Sequence, residues 1–110
     1  GIDIETIPNP NYNLSAKQQV DGWCARGLAL LGYRVARKLT NPSKPFCFGT
    51  LVAFRQLTAT AGYEEGWYIL CLHDDGDTEE LTILDVVVSI DLWLWYLRQQ
   101  QPVVVQTPTA

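Results

Sequence analysis

His73 is the only histidine in the chain, so general-base or histidine-ligated metal chemistry would have to run through it. Cys71 stands two residues earlier, and on a strand the two side chains share a face, about 7 Å apart by strand rise. A thiol brought within hydrogen-bond reach of an imidazole is the arrangement of a cysteine nucleophile, and Cys24 and Cys47 are the other candidate thiols. No segment supplies a recognisable oxyanion hole or a third group to orient the ring. Asp74, Asp75 and Asp77 beside His73 offer oxygen ligands for a hard cation. They lack the spaced acidic positions and distal glutamate of a calcium loop. The Asp75-Gly76 step between two apolar runs instead reads as a hairpin turn. Gly22, Gly27 and Gly32 match no phosphate-binding glycine pattern. The expectation is therefore no catalytic residue, no metal and no cofactor.

The cysteines are odd in number, widely spaced and set among apolar neighbours: Trp23 and Ala25, Phe46 and Phe48, Leu70 and Leu72. That usage suits reduced thiols packed as small hydrophobes rather than a disulfide framework or a zinc site, and it points to the cytoplasm. No run reaches the roughly 20 apolar residues of a membrane-spanning helix, so no membrane association is expected.

The net charge of −4 conceals a division along the chain. Lys17, Arg26, Arg34, Arg37, Lys38, Lys44 and Arg55 face only Asp21 in the stretch 14–55. From 56 to the end Arg98 alone opposes nine carboxylates. Such asymmetry predicts charge-directed contacts, within the fold or with partners. Arg34, Arg37, Lys38, Lys44 and Arg55, with Tyr33 and Phe46 nearby for stacking, form a candidate nucleic-acid-binding set. The acidic second half opposes that reading.

Positioning these residues requires an arm, a core and a tail. The first 14 residues, with Pro8, Pro10 and three asparagines, read as an irregular arm. Residues 15–101 read as one α+β domain, and 102–110 as a loose tail. Ser15 is a candidate N-cap for a long helix reaching about Leu39, with Val20, Cys24, Leu28, Leu31, Val35 and Leu39 on one stripe. After a loop spanning Pro42 to Pro45, a strand is expected from about Thr50 to Thr58. A second, covered on both faces, follows from Trp67 to Leu72, and a return strand runs from Glu79 to Leu84 beyond the turn. Val86, Val87 and Val88 favour a short strand or turn, leading into a helix capped by Ser89 or Asp91 and ended by Pro102.

The expected architecture is a long N-terminal helix packed on a small antiparallel β-meander, closed by a C-terminal helix. Over Thr50 to Ile90 the short aromatic strands and acidic tight turn resemble the hairpins of SH3-like and Tudor-like barrels, which host many functions. The C-terminal helix is apolar on more than one side. Leu92, Trp95 and Tyr96 fall away from the stripe of Val87, Ile90, Leu94 and Leu97, and in a domain of 110 residues both sides are hard to bury. They are the candidate partner-binding or self-association surface, since aromatic anchors carry much of the energy at interfaces. The function expected is a small non-enzymatic protein-interaction or regulatory module, with nucleic-acid binding through the basic segment 26–55 as the alternative.

Overall fold

Ser15 does start a helix. Its hydroxyl accepts the Gln18 amide at 3.1 Å while the Gln18 side chain accepts the Ser15 amide at 2.8 Å, a reciprocal cap that opens α1, Ala16–Val20. The structure is a computed structural model and describes residues 12–59, 62 and 64–100. Residues 1–11 of the arm expected over 1–14, and the whole tail expected over 102–110, lie outside the described residues.

The long helix expected over 15–39 is not formed. Gly22, Gly27 and Gly32 hold φ values of +89°, +94° and +97°, a left-handed conformation incompatible with a continuing α-helix. Three glycines that a helix might have absorbed instead turn the chain three times. The supposed single stripe is dismembered: Val20 stands in solvent, whereas Val35 is fully buried in β1, Arg34–Lys38.

The rest of the chain is a meander. β2 is Phe46–Leu57, β3 Gly66–His73 and β4 Thr78–Thr82, all antiparallel in the order β1-β2-β3-β4. Among the described residues β1 and β4 are the two edges of an open sheet, and the barrel suggested by the resemblance does not close there. The Asp-Gly turn is as expected. Gly76 takes φ +98° and its amide reaches the His73 carbonyl, with the His73 amide on the Asp77 carbonyl, a three-residue hairpin loop.

β2 is longer than its neighbour β1, which covers only Phe46 to Thr50. The chain between α1 and β1 completes that side. Gly32 donates to the Leu51 carbonyl, Leu51 donates to Tyr33, and Cys24 and Phe54 exchange both backbone hydrogen bonds. A bulge between Leu51 and Ala53 shifts the register of β2 against β3, so inward and outward positions change face midway. Two cores result. Val35, Leu51, Ile69, Cys71, Leu81 and Val86 form one, and Trp23, Val52, Ala53 and Leu70 form the other, on opposite faces of the sheet. β3 is thus covered on both faces, as its two-sided apolar sequence predicts.

α2, Ile83–Gln100, packs mainly along the edge strand β1. It begins six residues before Ser89, directly after β4. The Thr82 hydroxyl accepts the Asp85 amide at 3.2 Å and an Asp85 carboxylate oxygen accepts the Thr82 amide at 3.4 Å. This reciprocal cap overrides the strand propensity of Val86, Val87 and Val88 and displaces the expected caps: Ser89 lies inside the helix and is buried. Among the described residues no helix is long and apolar enough to cross a membrane.

Candidate functional site

His73, at the end of β3, is buried and meets both groups that the sequence placed near it or left unassigned. Its Nε2 lies 3.0 Å from Glu79 Oε1 on β4, and its Nδ1 lies 4.0 Å from Cys71 Sγ. A carboxylate only accepts, so Nε2 carries the hydrogen and Nδ1 faces the thiol. The order thiol, imidazole, carboxylate is that of a cysteine nucleophile with its base and orienting acid. The thiol is nonetheless unsuited to attack: Cys71 is fully buried, and burial, with Glu79 adding to it, pushes its pKa up to about 12. Only a thiolate is nucleophilic. Gly49 makes the thiol's place. A Cβ there would sit 2.5 Å from Cys71 Sγ and 2.8 Å from the Leu72 carbonyl oxygen.

Glu79, which sequence reasoning missed, is the hub. Arg37 on β1 donates through Nε to Oε1 at 3.2 Å and through Nη2 to Oε2 at 3.0 Å. Burial raises the Glu79 carboxyl, but the hydrogen bonds from Arg37 and then His73 outweigh it and hold the group below its ordinary value. Arg37 Nη1 also donates to the Ser89 hydroxyl at 3.0 Å, and that hydroxyl donates to the Asp85 carbonyl at 2.6 Å. The network ties β1, β3 and β4 to the first half of α2. A cleft of about 440 Å³ opens beside it at the end of the sheet, lined by Lys44, Cys47, His73, Asp75 and Glu79 among others. Among the described residues no group of three or more histidine, cysteine or acidic side chains is arranged to hold a metal ion.

The second half of α2 is fixed by rings. Tyr96 lies 4.6 Å from Phe48 and 6.1 Å from Phe46 between centroids, and Trp93 meets Phe48 edge-on at 5.6 Å. Arg34 stands over Trp93 at 5.1 Å while donating to both Asp74 carboxylate oxygens and to the Thr50 hydroxyl. The helix is therefore held along its length by opposite means: a polar clamp first, then an aromatic stack.

Successive helical residues stand 100° apart, so Val86, Ser89, Ile90, Trp93, Tyr96 and Leu97 share the inner side. Leu84, Val87, Val88, Asp91, Trp95 and Arg98 share the opposite one. That outer side is apolar and open: Leu84 is 73% exposed, Val88 56%, Val87 51% and Trp95 44%. The expected surface residues Leu92, Trp95 and Tyr96 are thus divided. Trp95 is 44% exposed with its ring tilted against Phe46 at 6.2 Å, Tyr96 packs inside on Phe48, and Leu92 lies half-buried between them. Leu84, Val87 and Val88 join Trp95 instead. Their inclusion was hidden by the strand propensity of the valine run.

The candidate nucleic-acid set is also divided. Arg34, Arg37 and Arg55 pair with Asp74, Glu79 and Glu80 at 2.7, 3.0 and 2.8 Å, joining the basic and acidic parts of the chain. Arg55 also lies 4.6 Å over the Trp23 ring. Lys38 and Lys44 are exposed. Comparison with protein-family models, with curated proteins and with solved structures finds no match to this chain.

Proposed function

We propose that this chain is a small non-enzymatic interaction or regulatory module that engages a protein partner through the outer side of α2. One observation carries the reading: Leu84, Val87, Val88 and Trp95 are exposed on one side of a helix whose inner side is already occupied, with the charged Asp91 and Arg98 among them. Single exposed apolar residues are ordinary, but four large ones gathered on one side of a rigid element favour a binding surface. Trp95 is the expected anchor, with a large apolar area and few rotamers to lose. The cysteine usage supports a cytoplasmic setting.

Nucleic-acid binding through Arg34, Arg37, Lys38, Lys44 and Arg55 is the competing proposal. Phosphates would have to displace Asp74, Glu79 and Glu80 from three of those cations. The test is affinity capture from the native lysate, with and without nuclease, comparing the unaltered chain with the variant Leu84→Ser, Val88→Ser, Trp95→Ser. A nuclease-resistant protein partner retained by the first and lost by the second supports the module. Equal capture by both overturns it, and capture abolished by nuclease transfers the reading to nucleic acid.

A further inference from the structure

A surface that binds its own copy about a two-fold axis must be self-complementary: whatever one residue meets, its counterpart must meet in return. The C-terminal part of the outer side of α2, residues 89–100, has that property. Asp91 and Arg98 are both exposed and lie on the same stripe, four residues before Trp95 and three residues after it. A two-fold axis crossing the helix between Leu94 and Trp95 exchanges positions 91 and 98. We propose that α2 pairs antiparallel with α2 of a second copy of this chain about that axis, burying Trp95 at the centre between two Asp91–Arg98 ion pairs.

The proposal rests on the outer side of α2 being an interaction surface and names its occupant. In-register parallel pairing would set Asp91 against Asp91 and Arg98 against Arg98, and an axis at Asp91 would again bring two carboxylates together. Only the axis beside Trp95 makes both charges favourable. Asp91 and Arg98 also share one flank of the stripe, and an antiparallel pair brings like flanks together. The overlap covers residues 89–100, about 18 Å of helix, so the pairing is a short crossing. Val88 borders it, and Leu84 and Val87 lie outside it.

Sedimentation equilibrium over a concentration series tests the pairing. The unaltered chain is expected to pass from 12.4 kDa to twice that mass, and Trp95→Ser to stay at the lower value. Asp91→Arg and Arg98→Asp should each weaken association by roughly tenfold, through lost attraction and new repulsion at two symmetric positions. The double variant Asp91→Arg, Arg98→Asp should return to near the original constant, because each new charge meets the other across the axis. Thermal unfolding of each variant at low concentration controls for folding. A chain that stays monomeric, or a double variant as weak as the two single changes combined, overturns the proposal. If the monomer still captures a protein through Trp95, only the self-pairing fails; if it captures none, the interaction surface fails with it.

Discussion

The two sides of α2 carry similar side chains and meet different surroundings. The inner side places Val86, Ile90, Trp93 and Tyr96 against the sheet, and the outer side presents Leu84, Val87, Val88 and Trp95 to solvent. Hydrophobicity alone does not separate them. The inner side is chosen by what the sheet offers it: Phe46 and Phe48 for the rings, Arg37 for the Ser89 hydroxyl and Arg34 for the face of Trp93. Each of those partners is specific in position. The outer side keeps one such contact, Trp95 on the rim of Phe46, and leaves Leu84, Val87 and Val88 open to contacts beyond the fold.

The largest break in the comparison comes from exchanging the character of one inner position. Val86 is 1% exposed, and Val86→Asp buries a carboxylate with no cation designed for it. Loss of cooperative unfolding is the expected outcome in a urea titration followed by tryptophan fluorescence. Next is the tryptophan pair. Trp93→Ala removes the edge contact with Phe48 and the face under Arg34 and should cost about 3 kcal/mol. Trp95→Ala gives up one peripheral contact and should cost under about 1 kcal/mol in the monomer. Equal losses for the two would erase the distinction between the sides.

A smaller effect follows from the polar clamp. The folded Glu79 carboxyl titrates below its ordinary value of 4.5, because the hydrogen bonds from Arg37 and His73 overcome the effect of burial. The stabilisation it provides is therefore complete above about pH 4.5 and is lost as pH falls through the folded value. Asp74, held down by the Arg34 hydrogen bond, acts in the same direction. Glu79→Gln should be less stable at neutral pH and show a shallower acid limb in stability against pH, with Asp74 still contributing to the remaining slope. An acid limb unchanged by the substitution would remove Glu79 from the clamp's titration.

Thiol labelling gives the smallest and most local reading of the sheet beneath α2. Cys24 is exposed, Cys47 half-buried and Cys71 buried, so a disulfide reagent should modify them in that order, with Cys71 reacting only on unfolding. Rapid labelling of Cys71 in the folded chain would mean that the inner side opens readily.

Some of this was legible in the residues. The Asp75-Gly76 turn and the two-sided apolar run Trp67 to Leu72 name their own structures, because a positive φ and burial on both faces have few other solutions. The charge division of the chain likewise anticipates Arg34–Asp74 and Arg37–Glu79, although which cation finds which carboxylate depends on register. Elsewhere local signals misled. Gly22, Gly27 and Gly32 interrupt an apolar spacing that a helix and a series of turns fit equally well, and the sheet's need for an edge strand decides between them. Thr82 and Asp85 cap α2 only once β4 has ended, so the valine run concealed the start of the helix. Which of Trp93, Trp95 and Tyr96 faces inward is set by Phe48, far away in sequence, which meets Trp93 and Tyr96, and no local pattern could reveal it.

The separation of α2 into a structural side and a free side is tested most directly by urea unfolding of Leu84→Ser, Val87→Ser, Val88→Ser, Trp95→Ser combined in one chain. The measurement belongs at a concentration low enough for the unaltered chain to be monomeric. One cooperative transition is expected, with stability within about 1–2 kcal/mol of the unaltered chain, since surface substitutions rarely exceed about 0.5 kcal/mol each. A loss matching or exceeding that of Trp93→Ala would show that the outer side belongs to the chain's own core.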